Sequence, residues 1–547
     1  MFLHSKNRAH AFQLLLLAAL ITNCGAQTRY IFGSPTANDQ SYIELINRAR
    51  ANPPAEGARL AALTDPEILS AYNQFGVDLT MMQNEFNVIA VAPPLAPNDK
   101  LTKSARAHTQ WMFDNATQAH DETNPANTPG QRITNAGYNW TTFGENIFAF
   151  SNNTGFGHVG FEVDWGPGGS GGMQSPRGHR NSIHNPNFRE IGVGTLSGTN
   201  GAAGPQVVTQ DFGTEFNSST FATGVAYYDL NSNNFYDIGE GISGLEVKVS
   251  GAGYFCSTAI GGGWVVPVPA IAATRTVTFS GLGISQSGNV VVAGNANTKI
   301  DLKLAYTPPS ILSPASGLAG NIYSLSFSAV GGATGYKWNR WNMAPAAAQN
   351  CDSLTTVKVT TATAYPVLNT TIKQQGTASF HLANPGVPGD QTIELNSLYH
   401  GGTASSMAFL SRLRTSTSSE FYKVQIKVDG TAVWQDVYSQ TGGTAEASFS
   451  SKKVDLSFMA GKDFQVRFIL SFAGGNTYAN TGDNFGWFID AIKFTNISKL
   501  TKKITQTLSV TQADFTPTAG TYLISVAPVI SGIEFPGGNK IVTILAN

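Results

Sequence analysis

Cysteine is nearly missing from this chain, with three residues in 547, at Cys24, Cys256 and Cys351. So few exclude a disulfide framework and a cysteine-built structural zinc site. Cys256 and Cys351 are read as buried apolar side chains in different domains. Charge is scarce as well, at 13% charged residues and a formal net charge of −1. Losing Lys6 and Arg8 with a leader takes that to about −3, too mild for a nucleic acid or anionic membrane partner. No apolar run reaches transmembrane length; Ala11 to Ile21 stops short of a bilayer's thickness.

What is there is glycine, 57 residues of it, with much Ser, Thr and Asn. That balance suits a turn-rich, β-rich extracellular protein. The length calls for about three or four domains. Residues 1–26 read as a secretory signal: Lys6 and Arg8 are the basic start, Ala11 to Ile21 the apolar run, and Cys24-Gly25-Ala26 the small residues before cleavage at Gln27. Free secretion is preferred over lipid anchoring at Cys24, because Ile21-Thr22-Asn23 lacks the small residues wanted before an acylated cysteine.

Residues 27–37 read as a linker. Ile43, Ile46 and Ala49 fall at helical spacing until Asn52-Pro53-Pro54 stops them, and Leu101 to Phe113 repeats the pattern. A third short helix is expected within Gly155 to Trp165. Ile191 to Gly194 and Gln206 to Phe212 read as strands, so residues 38–215 mix helices with a few strands. From Phe221 onward alternation takes over, as in Leu245-Glu246-Val247-Lys248-Val249, and residues 221–304 read as a small β-sandwich. Tyr306 to Pro309 is a linker. Residues 354–497 form a longer all-β block with a hairpin turning at Asp429-Gly430.

Two constellations are able to carry chemistry. The first is Asp229-Leu230-Asn231-Ser232-Asn233-Asn234-Phe235-Tyr236-Asp237-Ile238-Gly239-Glu240. Oxygen side chains of Asp229, Asn231, Asn233, Asp237 and Glu240 stand at positions 1, 3, 5, 9 and 12, and Phe235 offers its carbonyl at position 7. A hard cation needs such a ladder of oxygens on one wrapping segment, so structural calcium is expected here. Asn234 replaces the usual glycine at the sharp turn, a position Asn tolerates. The competing reading is a polar turn between strands.

The second lies between Gly144 and Gly213, together with His120 from upstream. His120, Glu145 and His179 lead, and Glu162, Asp164 and His158 follow. Two imidazoles with one or two carboxylates suit a divalent transition metal or a bound water that exchanges protons. The segment holds no His-Glu-x-x-His and no cysteine. A hydrolase built on these histidines and acids would need a metal- or base-activated water. The bland reading is a hydrogen-bonded core that holds the fold.

Gly144-Glu145-Asn146-Ile147, Ser175-Pro176-x-Gly178-His179-Arg180-Asn181-x-Ile183, Asn185-Pro186-x-Phe188-Arg189-Glu190-Ile191-Gly192-Val193-Gly194 and Thr209-Gln210-Asp211-Phe212-Gly213 resemble the bacterial branch of the CAP superfamily. This is the SCP-like group of cysteine-rich secretory, antigen 5 and pathogenesis-related proteins. The resemblance implies an α-β-α sandwich at residues 38–215 with a shallow cleft of two histidines and two acids. His120 and His179 match the histidines and Glu145 the first acid. The second acid falls on Asp164 or Glu162, because the glycine run from Gly166 to Gly172 departs from the compact bacterial pattern.

The loop at Asp229 and its flanks resemble the SdrD B-like or carboxypeptidase-regulatory-like repeats of bacterial surface proteins, which act as calcium-stiffened spacers. Residues 354–497, ending in Gly486-Trp487-Phe488-Ile489-Asp490-Ala491-Ile492, resemble jelly-roll modules. Strands in 305–350 and 498–547 resemble one fibronectin-III-like unit into which that module is inserted. The expected whole is a secreted, multidomain, extracellular binding or surface-interaction protein. Its partner would be a lipid, carbohydrate or protein ligand, and binding is preferred over catalysis. The alternative is a metal- or water-dependent hydrolase that uses the same His/Glu cleft.

Overall fold

The computed structural model describes residues 27–547 apart from 124, 125, 388, 444 and 473. The expected signal segment, Cys24 included, lies outside the described residues. The chain divides into two compact units. One is built from residues up to Thr307 with Gly331–Thr334 and Ile530–Ile533; the other holds Pro308–Val330, Gly335–Val529 and Glu534–Asn547.

In the first unit, β1 (Thr28–Arg29) precedes α1 (Ala37–Ala51). Thr36 closes the start of α1 with a reciprocal capping box to Asp39, a device worth about 1 kcal/mol. Pro53 cannot continue α1, and instead it opens α2 (Pro53–Ala61) with Asn52 as its cap. Two more helices follow, α3 (Pro66–Phe75) and α4 (Leu79–Asn87), each capped by an aspartate side chain, Asp65 and Asp78. Then come β2 (Ala96–Pro97), α5 (Asp99–Asp114), α6 (Pro129–Asn135), β3 (Trp140–Ser151), α7 (Thr154–Val163), α8 (Gly178–His184), β4 (Glu190–Ser197) and β5 (Gln206–Glu215). The four strands order as β2-β4-β5-β3, leaving β3 at an edge.

Helices cover both faces of this sheet. On one, Tyr42, Ile43 and Ile46 of α1, Phe161 of α7 and Ile183 of α8 share a core with Ile191, Val193, Val208 and Phe212. On the other, α5 lies along β4 and β5, with Met112 beside Ile147 and Val207. Gly192 and Gly194 permit that approach: a Cβ on Gly192 would lie 2.0 Å from the Leu101 carbonyl carbon. The α2–α4 layer packs on α7 through Leu60, Tyr72, Met82, Phe86 and Val163.

The segment expected to be a linker before α1 is partly structural. β1 pairs in parallel with β8 (Tyr254–Ser257), and Phe32 is buried in the core of the following β-region. That region contains β6 (Thr220–Asp229), β7 (Glu246–Val249), β9 (Gly263–Val268), β10 (Ala273–Gly281), β11 (Ile284–Val292), β12 (Thr298–Lys299) and β13 (Leu302–Ala305). One sheet runs β1-β8-β7-β10-β11; in the other, β12, β13 and β9 pair with β6. Trp264, Val266, Val247, Phe279 and Val290 fill the core they share. Cys256 is buried there as a free thiol.

The second unit is all strand apart from one 3-10 turn among its described residues. Its spine is a 22-residue strand, Trp487–Leu508. One half pairs with Leu398–Leu413 and the other with Ala333–Pro345. Phe409 meets Phe468 and Trp487 edge to face in its core, and Cys351 is buried free. Strands on either side of 354–497 pair with one another: Tyr323–Ser326 with Gln512–Phe515, and Ser316–Leu318 with Gly538–Leu545. The hairpin expected at Asp429-Gly430 is present, but its second strand begins at Gln435, after Val433-Trp434.

Candidate functional site

The site begins with the alternation of β3. Consecutive strand residues point to opposite faces, so Glu145 and Asn146 serve different layers of helices. Gly144 precedes them because the Phe188 ring lies against it; a Cβ would stand 2.8 Å from that ring.

Glu145 is buried on the α5/α6 side. Its Oε1 receives His120 Nδ1 at 2.8 Å, and its Oε2 receives Arg132 Nη2 of α6. Arg132 also donates to the His120 carbonyl at 2.8 Å and the Asn127 carbonyl at 3.0 Å, so one guanidinium fixes both the acid and the loop bearing its histidine. His108 of α5, fully buried, pins that loop again through Glu122 and the Ala119 carbonyl, each at 3.0 Å. Burial alone would raise Glu145, but the His120 hydrogen bond, His108 and Arg132 outweigh it and hold the carboxyl below its ordinary value.

On the opposite side, Asn146 Nδ2 donates to the His179 carbonyl at 3.2 Å and to Gln210 Oε1 at 3.1 Å. His179 stands in the first turn of α8. Its backbone N–H and its Nδ1 both donate to Asp164, at 3.0 and 2.7 Å. Asp164 caps the end of α7 in a left-handed conformation, φ 56°, with its carboxylate fully buried. The glycine run is a closed loop that returns the chain to this acid. Gly166 donates to Gly172, Trp165 bridges to Met173, and Gln174 donates to the Asp164 carbonyl at 2.7 Å. A Cβ on Gly172 would lie 2.3 Å from the Phe75 carbonyl oxygen, so glycine is required there to dock the loop on α3.

His120, Glu145, His179 and Asp164 thus form two histidine–acid pairs, joined through neighbouring residues of one edge strand. Each imidazole gives Nδ1 to its acid and turns Nε2 away from it. His120 is half exposed and His179 less so. A cavity of about 200 Å³ adjoins His179, walled by Phe148, Phe150, Phe161 and Trp165. The other two candidates, Glu162 and His158, sit elsewhere. Glu162 pairs with His184 at 3.0 Å, and His158 with Glu56 at 3.1 Å, all buried in the core between helices. Among the described residues no group of three or more His, Cys, Asp and Glu side chains is placed to hold one metal ion. Both Glu145 oxygens accept a hydrogen bond, one from His120 and one from Arg132. Arg132, His108 and Glu122 had no signal in the sequence, since each acts from a separate element.

The loop at Asp229–Glu240 is ordered by its own side chains. Asn231 Oδ1 accepts from Asn233 N at 3.0 Å and Asn233 Oδ1 from Phe235 N at 2.7 Å. Asn231 and Asn233 amides both donate to Asp237 Oδ2 at 2.7 Å. Glu240 accepts from Leu230 N at 2.8 Å and Asp237 N at 2.9 Å. Ser232 and Asn234 take φ near 60°, the left-handed turns that wrap such a loop. Asp229 Oδ1 is buried without a partner among the described residues, while its Oδ2 accepts from Asn234 N at 3.1 Å and lies 3.9 Å from Lys303 Nζ. The loop also leans on α1: Arg48 covers the Phe235 ring at 4.6 Å, and Tyr236 is buried beside Ala37.

Residues 84–212 match the profile of CAP, the Cysteine-rich secretory protein family, and so carry a CAP domain. An extracellular protein containing a SCP domain from Bacillus anthracis str. Ames is 23% identical over 28% of this chain and 44% of its own, with a TM-score of 0.18. The chain therefore spans less than half of that protein. A CBM35 from Paenibacillus barcinonensis is 16% identical over 27% of this chain and 98% of its own, TM-score 0.18. The K1 cleaved adhesin domain of Lys-gingipain from Porphyromonas gingivalis W83 is 14% identical over 27% of this chain and 96% of its own, TM-score 0.21. No curated protein matches the chain. No helix among the described residues is long and apolar enough to cross a membrane.

Proposed function

We propose that the protein is a secreted, extracellular binding protein whose CAP cleft holds a ligand between two acid-braced histidines. The carrying observation is the pairing itself. Both imidazoles are oriented by Nδ1 bonds to buried carboxylates, which is how a histidine is held still to present Nε2 to a ligand. Binding is favoured over hydrolysis because Glu145 has one oxygen on His120 and the other on Arg132. A carboxylate so occupied is poorly placed to take a proton from water. In this reading residues 38–215 are an α-β-α sandwich, and 221–304 and the strands beyond are β-sandwich and jelly-roll spacers that display the cleft.

Structural calcium at Asp229–Glu240 belongs to the same reading. The partnerless Asp229 Oδ1 supports it, since a buried carboxylate oxygen without a donor is what a cation would satisfy. Asn231, Asn233, Asp237, Glu240 and the Phe235 carbonyl would complete the shell, stiffening the loop against α1.

The cleft is tested with the full chain on arrays of lipids, glycans and peptides, comparing wild type with His120→Ala plus His179→Ala. Binding that the double variant loses while its circular dichroism is unchanged supports the proposal. Binding retained in full by the double variant removes it. Turnover of casein or an ester that the double variant abolishes favours the hydrolase instead.

A further inference from the structure

One buried acid near the cleft is explained by neither histidine pair. Asp211 of β5 stands directly opposite Glu145 of β3 and Gly192 of β4. Side chains opposite one another in an antiparallel ladder share a face about 5 Å apart. The two carboxyls therefore meet beneath α5 and α6. Asp211 is fully buried, and neither of its oxygens has a hydrogen-bond partner among the described residues.

The basic groups nearby bond elsewhere, although Arg132 Nε is left without a hydrogen-bond partner among the described residues. Arg132 of α6 goes to Glu145, the His120 carbonyl and Asn127. His120 goes to Glu145, and His108 of α5 to Glu122 and the Ala119 carbonyl. The Ser104 hydroxyl of α5 is close enough to favour the charged form slightly, yet it too lacks a formed bond. A buried carboxylate with no donor is costly, and a second carboxylate alongside makes it worse. Two such groups coexist when one proton lies between them, because the contact then becomes an O–H···O⁻ bond.

We propose that Asp211 is a neutral carboxylic acid at physiological pH, donating its O–H to Glu145 as the positioning residue of the cleft's central carboxylate. The role rests on the cleft reading above; the proton does not. The proton belongs on Asp211 and not on Glu145, because Arg132 and His120 bind Glu145 as an anion. Burial first, and then Glu145, push Asp211 well above its ordinary value of 3.8, while Glu145 is held below its own. The O–H from behind, the guanidinium from α6 and the imidazole from the loop then fix Glu145 from three directions.

The test is isotope-edited infrared spectroscopy of the full chain at about pH 7. A protonated-carboxyl stretch should shift when 13C-labelled aspartate is incorporated, and vanish in Asp211→Asn. Protonated glutamates such as Glu190 answer only to labelled glutamate. Absence of any aspartate-sensitive band in the wild type overturns the proposal without needing a variant to fold. The positioning role is read by the rate at which diethylpyrocarbonate modifies His120, followed by mass spectrometry. Asp211→Asn, which keeps a donor, should match the wild type, and Asp211→Leu, folded by circular dichroism, should react several-fold faster. Equal rates in all three remove the positioning role. Neither readout uses a cleft ligand, so each gives its result whatever the binding experiment on His120 and His179 shows.

Discussion

His179 binds Asp164 twice, through its backbone N–H at 3.0 Å and its Nδ1 at 2.7 Å. One fully buried carboxylate therefore sets both where α8 begins and which way its first imidazole faces. Asp164→Ala should cost about 1–3 kcal/mol, the penalty for stranding donors that are largely out of water. Asp164→Asn should cost less, because Asn keeps an acceptor for the backbone N–H and accepts the left-handed φ of 56°. Urea unfolding of the two variants checks this; an Asn variant as damaged as the Ala variant would mean that charge, and not backbone geometry, dominates.

Arg132 is the corresponding brace for His120. Replacing it strands Glu145 as a buried anion with a half-exposed imidazole as its partner. Arg132→Met should lose about 3–5 kcal/mol, the range for removing one member of a buried pair. Arg132→Lys should recover only part of it, since an ammonium cannot span Glu145 and two carbonyls as a planar fork does. Denaturant midpoints with the slope held constant decide the ranking, and a Lys variant equal to wild type would refute the multidentate argument.

Contiguous motifs, Gly-Glu-Asn and Gly-His-Arg-Asn, single out Glu145 and His179 in the sequence, whereas His120 lies outside both. The sequence leaves Asp164 and Glu162 as alternatives. The two lie two residues apart at the end of α7, and only the left-handed turn at Asp164 swings one carboxylate to His179 and leaves the other to His184. Asp211 lay in plain view in Thr-Gln-Asp-Phe-Gly. Its burial, however, depends on Gly192 letting α5 close over it, a contact between strands and helix far apart in sequence. The helices from Pro53 to Asn87 are each short, and Pro53, which reads as the stop of α1, starts α2 instead. Residues 27–37 read as a linker because the two-residue β1 leaves no alternation to read.

Glu190 gives the CAP domain a pH dependence of definite sign. It is buried, accepts from Asn98 Nδ2 at 2.7 Å and Tyr138 Oη at 2.9 Å, and burial pushes it up from 4.5 to about 7. Between those values the folded chain holds a proton that the unfolded chain has released. Stability from this group is therefore lost as pH rises from about 4.5 to 7, by up to about 3 kcal/mol. Glu190→Gln keeps a neutral side chain throughout, so its stability relative to wild type should climb over that window and level off above it. Melting curves at pH values across the window check it; a difference that does not change with pH would show that Glu190 titrates alike in both states.

Calcium at Asp229–Glu240 is tested through stability, because the side chains that would hold it come from one segment that leans on α1. An ion that binds only the folded loop stabilises by RT ln(1 + [L]/Kd), about 2.7 kcal/mol at a hundredfold excess over Kd. Calcium should therefore raise the melting temperature of the wild-type chain, and Asp229→Ala with Glu240→Ala should abolish the increment. Lys303 sharpens the experiment. Its ammonium lies 3.9 Å from Asp229 Oδ2 and donates to Asn234 Oδ1, so it competes with an incoming cation. Lys303→Met should tighten calcium binding, visible as the same thermal increment reached at lower calcium. Magnesium should do less at equal concentration, since six or more flexible oxygens suit the larger ion. Equal melting with calcium and with chelator, in both the wild type and Lys303→Met, would leave Asp229–Glu240 as a turn held by its own asparagines.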